Sequence, residues 1–379
     1  MRTPRLRLRP AQALVLIAIA LAYLAGSGQL GGLRERVEGL LQQAQQALPQ
    51  ASQTPKPATT ASTPPSEVAD ASAISIYFAP DPPGNGQGPD DALLGLIASA
   101  QKTILCAFYD LELESVADAL IAKHDAGVKV SVVSDTTYDK RDAVKKVIAA
   151  RIPVVFDERK DFMHNKFCVV DGQTLWTGST NITNNCMYRN DNNAVVLRSE
   201  QLAVNYTDEF NEMFVDKRFG PRSPSRTRYP VVKLGDTTVE NYFAPEDGVQ
   251  EKLIAQIHAA RTEIVFLAYA FTSDPIALAM IEAMRQGVVV RGLLEARNVN
   301  DRACEDDRLR DAGAKVYVDT GTYNMHNKVI VIDDATVITG SYNFSRNADE
   351  NNDENILFIN DRTIAQRYVA YFDTLVGAP

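Results

Sequence analysis

The chain has 379 residues, 45% of them apolar and 23% charged, with a formal net charge of −9 at pH 7. That apolar content over that length builds substantial cores and excludes an intrinsically disordered chain. The acidic balance disfavours sequence-independent binding to nucleic acid, which rests on Lys and Arg displacing counterions, unless a basic cleft forms locally.

Arg2, Arg5, Arg7 and Arg9 precede an uninterrupted apolar stretch at 13–25, so residues 1–32 read as an export signal or signal anchor. Cleavage after Ala20-Leu21-Ala22 and retention as a membrane tether fit about equally, because residues 11–32 are long enough to span roughly 30 Å. Either way the remainder is expected to be exported, secreted or held at the cell envelope. Residues 33–73 read as a stalk: beyond an amphipathic stretch at 33–48, Pro, Thr, Ser, Ala and Gln leave too little apolar surface to fold.

From Ile74 the chain repeats itself. Tyr77-Phe78-Ala79-Pro80 returns as Tyr242-Phe243-Ala244-Pro245. Each copy leads into a helix (91–100 and 250–260), an apolar strand (103–109 and 263–269), a helix ending at Gly127 or Gly287, and a further strand (128–133 and 288–294). Met163-His164-Asn165-Lys166 then recurs unchanged as Met325-His326-Asn327-Lys328. This alternation predicts a duplicated α/β/α fold with a mixed sheet in each half, residues 74–216 and 239–376, packed across a pseudo-twofold axis. An Arg-, Pro- and Ser-rich connection, 217–238, joins the halves, and this pseudo-dimer within one chain is expected to be a monomer. Cys106 and Cys168 lie in apolar strand-like runs and are expected as buried free thiols, which leaves Cys186 and Cys304, in loops, as the pair free to bond. No cysteine spacing suits a metal, and neither a metal nor another cofactor is expected.

The chemistry is carried by two matched motifs. His164-x-Lys166-x-x-x-x-Asp171 is followed by Gly178-Ser179-x-Asn181, and His326-x-Lys328-x-x-x-x-Asp333 by Gly340-Ser341-x-Asn343, in a chain with four histidines. Side chains alternate along a strand, so each His shares a face with its Lys, while Asp171 and Asp333 fall on the opposite parity. The aspartates are therefore expected to brace the motif from behind without touching phosphate. Two histidines from facing halves supply an in-line nucleophile and a proton donor for a phosphodiester. Lys166, Lys328, Asn181 and Asn343, with Ser179 and Ser341, would hold the non-bridging oxygens. Trp176, Tyr109 and Tyr269 stand in or at the ends of strands, where packing outweighs a place on the pocket rim.

The doubled motif with its downstream G-S-x-N resembles the phospholipase D superfamily over roughly residues 74–376. The resemblance implies hydrolysis of a phosphodiester, or its transfer to an alcohol, through a covalent phosphohistidine. It also implies an acidic residue downstream of each motif that hydrogen-bonds a catalytic imidazole. Glu354 has that place in the second half, and Asn192 in the first, similar to the amide in one half of tyrosyl-DNA phosphodiesterases. With Glu354 beside His326 and Asn192 beside His164, the carboxylate raises the pKa of His326, which becomes the general acid and leaves His164 as the nucleophile. Export, a membrane tether and the acidic average favour a phospholipid headgroup as substrate. The alternatives are a metal-independent endonuclease on DNA or RNA, since the compact halves resemble the small nuclease branch of the family, and a non-catalytic phosphate-binding module.

Overall fold

The computed structural model describes residues 73–81, 84 and 86–377, so the expected export segment and all of the stalk but Ala73 lie outside the described residues. In the first half β1 (Ile74–Ala79) is followed by α1 (Pro89–Ser99), β2 (Thr103–Phe108), α2 (Glu114–Asp125), β3 (Lys129–Ser134), α3 (Asp142–Ala149) and β4 (Val154–Phe156). The hairpin of β5 (Lys166–Val170) and β6 (Thr174–Gly178) comes next, then the short α4 (Asn184–Tyr188), β7 (Asn192–Arg198) and α5 (Glu200–Phe214). The second half opens with β8 (Val231–Leu234) and β9 (Thr237–Ala244) and continues through α6 (Val249–Ala259), β10 (Glu263–Ala268), α7 (Asp274–Arg285) and β11 (Val289–Leu294). It closes with α8 (Asp306–Asp311), β12 (Lys315–Val318), β13 (Lys328–Ile332), β14 (Thr336–Gly340), α9 (Arg346–Glu350), β15 (Glu354–Asn360) and α10 (Arg362–Leu375).

The sheets run β1-β7-β6-β5-β2-β3-β4 and β8-β9-β15-β14-β13-β10-β11-β12. Each is mixed, with β2, β3 and β4, and likewise β10, β11 and β12, in parallel and the other pairs antiparallel. The duplication is thus complete strand for strand, apart from β8. Residues 231–234 fall inside the expected connection, yet they pair with β9 as an added edge strand, with Val231 opposite Glu240. The physical cause is a hairpin signal: alternately buried Val232 and Leu234, then a left-handed turn at Gly235.

Three apolar layers hold the unit together. The helices α1, α2 and α3 cover the outer face of the first sheet, and α6, α7 and α8 that of the second. The central layer joins the inner faces of both sheets to α5 and α10. Tyr206 of α5 meets Phe167 of the first sheet and Phe243 of the second edge-on, each at 5.0 Å, and Tyr371 of α10 stacks on Phe78 of β1 at 4.1 Å. Each long helix therefore leans on the other half's sheet. Because a fully buried aromatic or aliphatic side chain stabilises by roughly 1.5–3 kcal/mol, the shared layer makes the halves one folding unit. At the centre of each sheet β5 and β13 are buried at every residue, which is why they read as unbroken apolar runs after their leading lysines.

Cys106 lies directly opposite Cys168 across β2 and β5, and their sulfurs are bonded. This corrects the expectation of two buried free thiols: the register of the strand pair brings the side chains together. Cys186 and Cys304 are free, so the bond between loops is not made. No helix among the described residues is long and apolar enough to cross a membrane.

Candidate active site

His164 and His326 stand two residues ahead of Lys166 and Lys328, the first residues of β5 and β13. Each histidine loop is pinned by the opposite half. The His164 N–H donates to the Asp353 carbonyl at 3.0 Å, and the His326 N–H to the Asp191 carbonyl at 2.8 Å. The two imidazoles line one cleft of about 530 Å³, together with Tyr109, Tyr269, Asn181 and Asn343. Buried amide oxygens of Asn181 and Asn343 have no hydrogen-bond partner, and these side chains remain open to a ligand.

The partners of the imidazoles are exchanged between halves. His164 Nδ1 lies 2.8 Å from both carboxylate oxygens of Glu354, and His326 Nδ1 lies 2.9 Å from Asn192 Oδ1. This corrects the expected pairing within each half. The reason is that Asn192 and Glu354 begin β7 and β15, and the bridges Met163↔Asp353 and Asp191↔Met325 set each strand start against the other half's histidine loop. Asn192 Nδ2 donates to the Cys186 carbonyl at 3.1 Å, which turns its oxygen toward the imidazole. In both rings Nδ1 therefore carries a proton for its oxygen partner and Nε2 is left for substrate.

Ser179 and Ser341 do not reach the cleft, which corrects their expected place on phosphate. Their buried hydroxyls donate to Asn192 Oδ1 at 3.0 Å and Glu354 Oε2 at 2.6 Å, and so orient the groups that orient the histidines. The glycine before each serine is required by close approach: a Cβ on Gly178 or Gly340 would collide with the carbonyl of Asn193 or Asn355.

Lys166 Nζ donates to the His164 carbonyl at 2.7 Å and Lys328 Nζ to the His326 carbonyl at 2.6 Å. Each ammonium stands 4.8 Å from a tyrosine ring centroid, Tyr109 or Tyr269, and the same rings meet His164 and His326 edge-on at 4.7 and 4.6 Å. These tyrosines shape the site, a role that sequence reasoning set below packing although they end equivalent strands. Trp176 does pack, donating from Nε1 to the Pro89 carbonyl at 3.1 Å.

Burial pushes His164 down to about 4 against the pull of Glu354, and Lys166 down to about 8. Burial, then Lys328 and Lys166, hold His326 well below its ordinary range; burial, then Lys166, does the same to Lys328. Glu354 is held below the carboxylate range, since burial is outweighed by His164, Lys166 and the Ser341 hydroxyl. Four basic groups thus crowd a buried space, and an anionic phosphate there relieves the repulsion between them.

Asp171 and Asp333 lie at the far ends of β5 and β13, in left-handed turn positions with φ of 54° and 52°. Asp171 accepts from the N–H groups of Gln101, Lys102 and Thr103 at 2.7–2.8 Å, and Asp333 from those of Arg261, Thr262 and Glu263. They fix the strand entering beside the motif and make no contact with the imidazoles. Sequence reasoning missed the amides beneath the site: Asn355 Nδ2 donates to Asn165 Oδ1 at 2.9 Å, and Asn193 Nδ2 to Asn327 Oδ1 at 2.8 Å. Their signal was the unchanged Asn inside each His-Asn-Lys and the Asn after each of Asn192 and Glu354. Among the described residues no group of three or more His, Cys, Asp or Glu is placed to hold a metal ion.

The family model described as cardiolipin synthase, PLD-like domain, fits residues 93–214 and again 253–376. A phospholipase D of Rickettsia prowazekii is 34% identical over 166 residues, 44% of this chain and 81% of that protein. A mitochondrial cardiolipin hydrolase of Xenopus laevis is 30% identical over 129 residues, 34% of this chain and 61% of that protein. Among solved structures, a phosphatidylserine synthase of Haemophilus influenzae aligns over 79% of this chain and 85% of its own with a TM-score of 0.57 and 14% identity, a likeness of fold.

Proposed function

The chain belongs to the phospholipase D-like superfamily and is a phosphodiesterase-type hydrolase, and from that premise we propose that it cleaves the headgroup diester of an exported-side membrane phospholipid through a phosphohistidine on His164. The observation that carries this reading is the exchanged pairing in a single cleft, His164 with Glu354 and His326 with Asn192. An imidazole that attacks phosphorus becomes a phosphoimidazolium cation, and the ring backed by a carboxylate carries that charge at least cost. An imidazole that must give up a proton is better served by a neutral amide, which orients it without raising its proton affinity. His164 therefore keeps the role of nucleophile, on different grounds from those the sequence offered.

In the first step the His164 Nε2 lone pair forms a bond to phosphorus, the bond to the leaving oxygen breaks, and the proton on His326 Nε2 passes to that oxygen. In the second, water attacks the phosphohistidine, His326 takes its proton, and the P–N bond breaks to leave a phosphomonoester. An alcohol in place of water gives transfer. Lys166, Lys328, Asn181 and Asn343 offset the charge on the non-bridging oxygens in both steps. The names of the relatives, phospholipase D and mitochondrial cardiolipin hydrolase, support a lipid substrate, as does a leader that would deliver the chain to the cell envelope.

The test is single-turnover reaction of the full chain with phosphorus-labelled phospholipid in mixed micelles, quenched in alkaline denaturant, with single-stranded DNA in a parallel arm. Headgroup release is expected, with label trapped on His164, absent from His164→Asn and longer-lived in His326→Asn. Label on His326 would reverse the roles, and DNA cleavage with intact lipid would replace the substrate.

A further inference from the structure

The amides beneath the two imidazoles are built alike at one end and differently at the other. Asn355 and Asn193 accept from the hydroxyls of Tyr206 and Tyr368 at 3.3 and 3.0 Å, and each donates to the amide oxygen of the Asn between His and Lys. The two tyrosines hold matched places on α5 and α10, counted from the caps Ser199 and Asp361. About one turn further along α5 stands Glu209, and Asn165 Nδ2 donates to its Oε1 at 3.3 Å. The same place on α10 is taken by Tyr371, which donates to the Ala79 carbonyl at 2.9 Å, and Asn327 Nδ2 has no partner. The His164 loop is thus held by both ends of its amide and the His326 loop by one.

Glu209 is 6% exposed. It faces Glu212 on its own helix, Glu246 on the turn after β9 of the other half, and Asp353 at the entry to β15. The cations packed around this group are engaged elsewhere: Arg159 pairs with Asp353 at 3.3 Å and Arg226 with Asp216 at 3.7 Å, while Arg226 and Arg218 draw on Glu212. Asp247, beside Glu246, is held by the hydroxyls of Ser225 and Thr227, and Asp208 by Arg228. Burial, then Glu246, Asp353 and Glu212, hold the Glu209 carboxyl well above its ordinary range, and burial raises Glu246 as well. Glu209 is therefore neutral at pH 7, one oxygen accepting from Asn165 and the other carrying a proton shared with Glu246.

We propose that Glu209 is a positioning residue for His164: through Oε1 it holds the Asn165 amide, and with it the peptide between His164 and Lys166. The inference rests on His164 being a reacting group, as assigned above, and Glu209 itself touches no substrate. An attacking ring must keep its line to phosphorus while one bond forms and another breaks, and a small displacement of it is costly in rate.

The test measures headgroup release by the full chain from phosphatidylglycerol in mixed micelles, with kcat and KM separated and the protein counted as folded chain. Glu209→Gln keeps an acceptor for Asn165 and a donor for Glu246, and should hold kcat within about twofold of wild type. Glu209→Leu leaves Asn165 Nδ2 only the Met213 sulfur at 4.0 Å, and kcat is expected to fall about tenfold or more with KM little changed. If that variant fails to fold, Glu209→Asp, which keeps the acid and shortens its reach, is expected to lose at least about fivefold. An unchanged kcat in the folded Leu or Asp variant, or a loss in Glu209→Gln equal to theirs, overturns the positioning role. Unfolding lets Glu209 ionise, so the stability gain of Glu209→Gln over wild type, read by denaturant titration, should grow as pH rises from about 5 toward about 8. A gain that ignores pH overturns the neutral carboxyl, and this measurement needs no substrate. No headgroup release from wild type overturns the phospholipid reading instead, and the variants are then compared on single-stranded DNA.

Discussion

Across β3, β2 and β5 the first half sets Val132, Cys106 and Cys168 side by side, and across β11, β10 and β13 the second half sets Gly292, Phe266 and Ile330 in the same places. The first half closes this layer with a disulfide. The second fills it with the Phe266 ring, for which Gly292 makes room, since a Cβ on Gly292 would run into that ring. Between the halves the layer stays filled while its side chains are exchanged. At the cleft the reverse holds: His, Lys and their tyrosine platforms are identical, and among the groups bonded to the imidazoles the difference lies in Glu354 and Asn192, which fill matching places but differ in charge. A scaffold layer accepts any side chains that pack, whereas reacting groups are fixed and tuned through their neighbours.

Making the cleft symmetric should break the division of roles most severely. On the proposed mechanism Glu354→Gln leaves the phosphoimidazolium on His164 without a counter-charge, and kcat is expected to fall roughly a hundredfold, measured by headgroup release. A loss no larger than about threefold would show that the carboxylate does not carry the intermediate. Making the scaffold layers alike should cost stability. Gly292→Ala forces a methyl against Phe266, and overpacking of this kind lowers unfolding free energy by about 1–3 kcal/mol, read from denaturant titration. The matching change Val132→Ala in the first half opens space and should leave the disulfide intact.

The smallest effect sharpens the comparison most. In the proposed mechanism His326 must be protonated to act as the acid, and burial, then Lys328 and Lys166, hold its pKa below the ordinary value in the free enzyme. The value of kcat/KM therefore falls as pH rises through that lowered pKa, and falls on the acid side as His164 takes a proton near 4. Asn192→Asp places a carboxylate on Nδ1, raises the pKa, and should move the alkaline limb upward by about one pH unit. A limb that stays in place would mean that another group gives the proton.

How far the sequence could foretell this differs from residue to residue. The motif histidines and lysines were legible because a tetrapeptide cannot easily recur by chance in a chain with four histidines, and the paired helices and strands followed from periodicity. The exchange of Glu354 and Asn192 was not legible. Chain order places each beside its own motif, and only the bridges Met163↔Asp353 and Asp191↔Met325 reveal that they face the other one. Cys106 and Cys168 were placed on strands correctly, but which strands neighbour each other, and in which register, is set by tertiary packing. The serines were misplaced for a similar reason: a residue next to a site can serve it from behind as readily as from within.

The amide bridges beneath the cleft and the exchanged partners above it leave neither half self-sufficient, because each imidazole takes its tautomer from its neighbour. Fragments severed between α5 and β8 should be inert alone and regain turnover only on reassociation. Two identical subunits meeting on a true dyad would have to offer both rings the same partner. Joining the copies in one chain released positions 192 and 354 from that constraint, and twins became specialists.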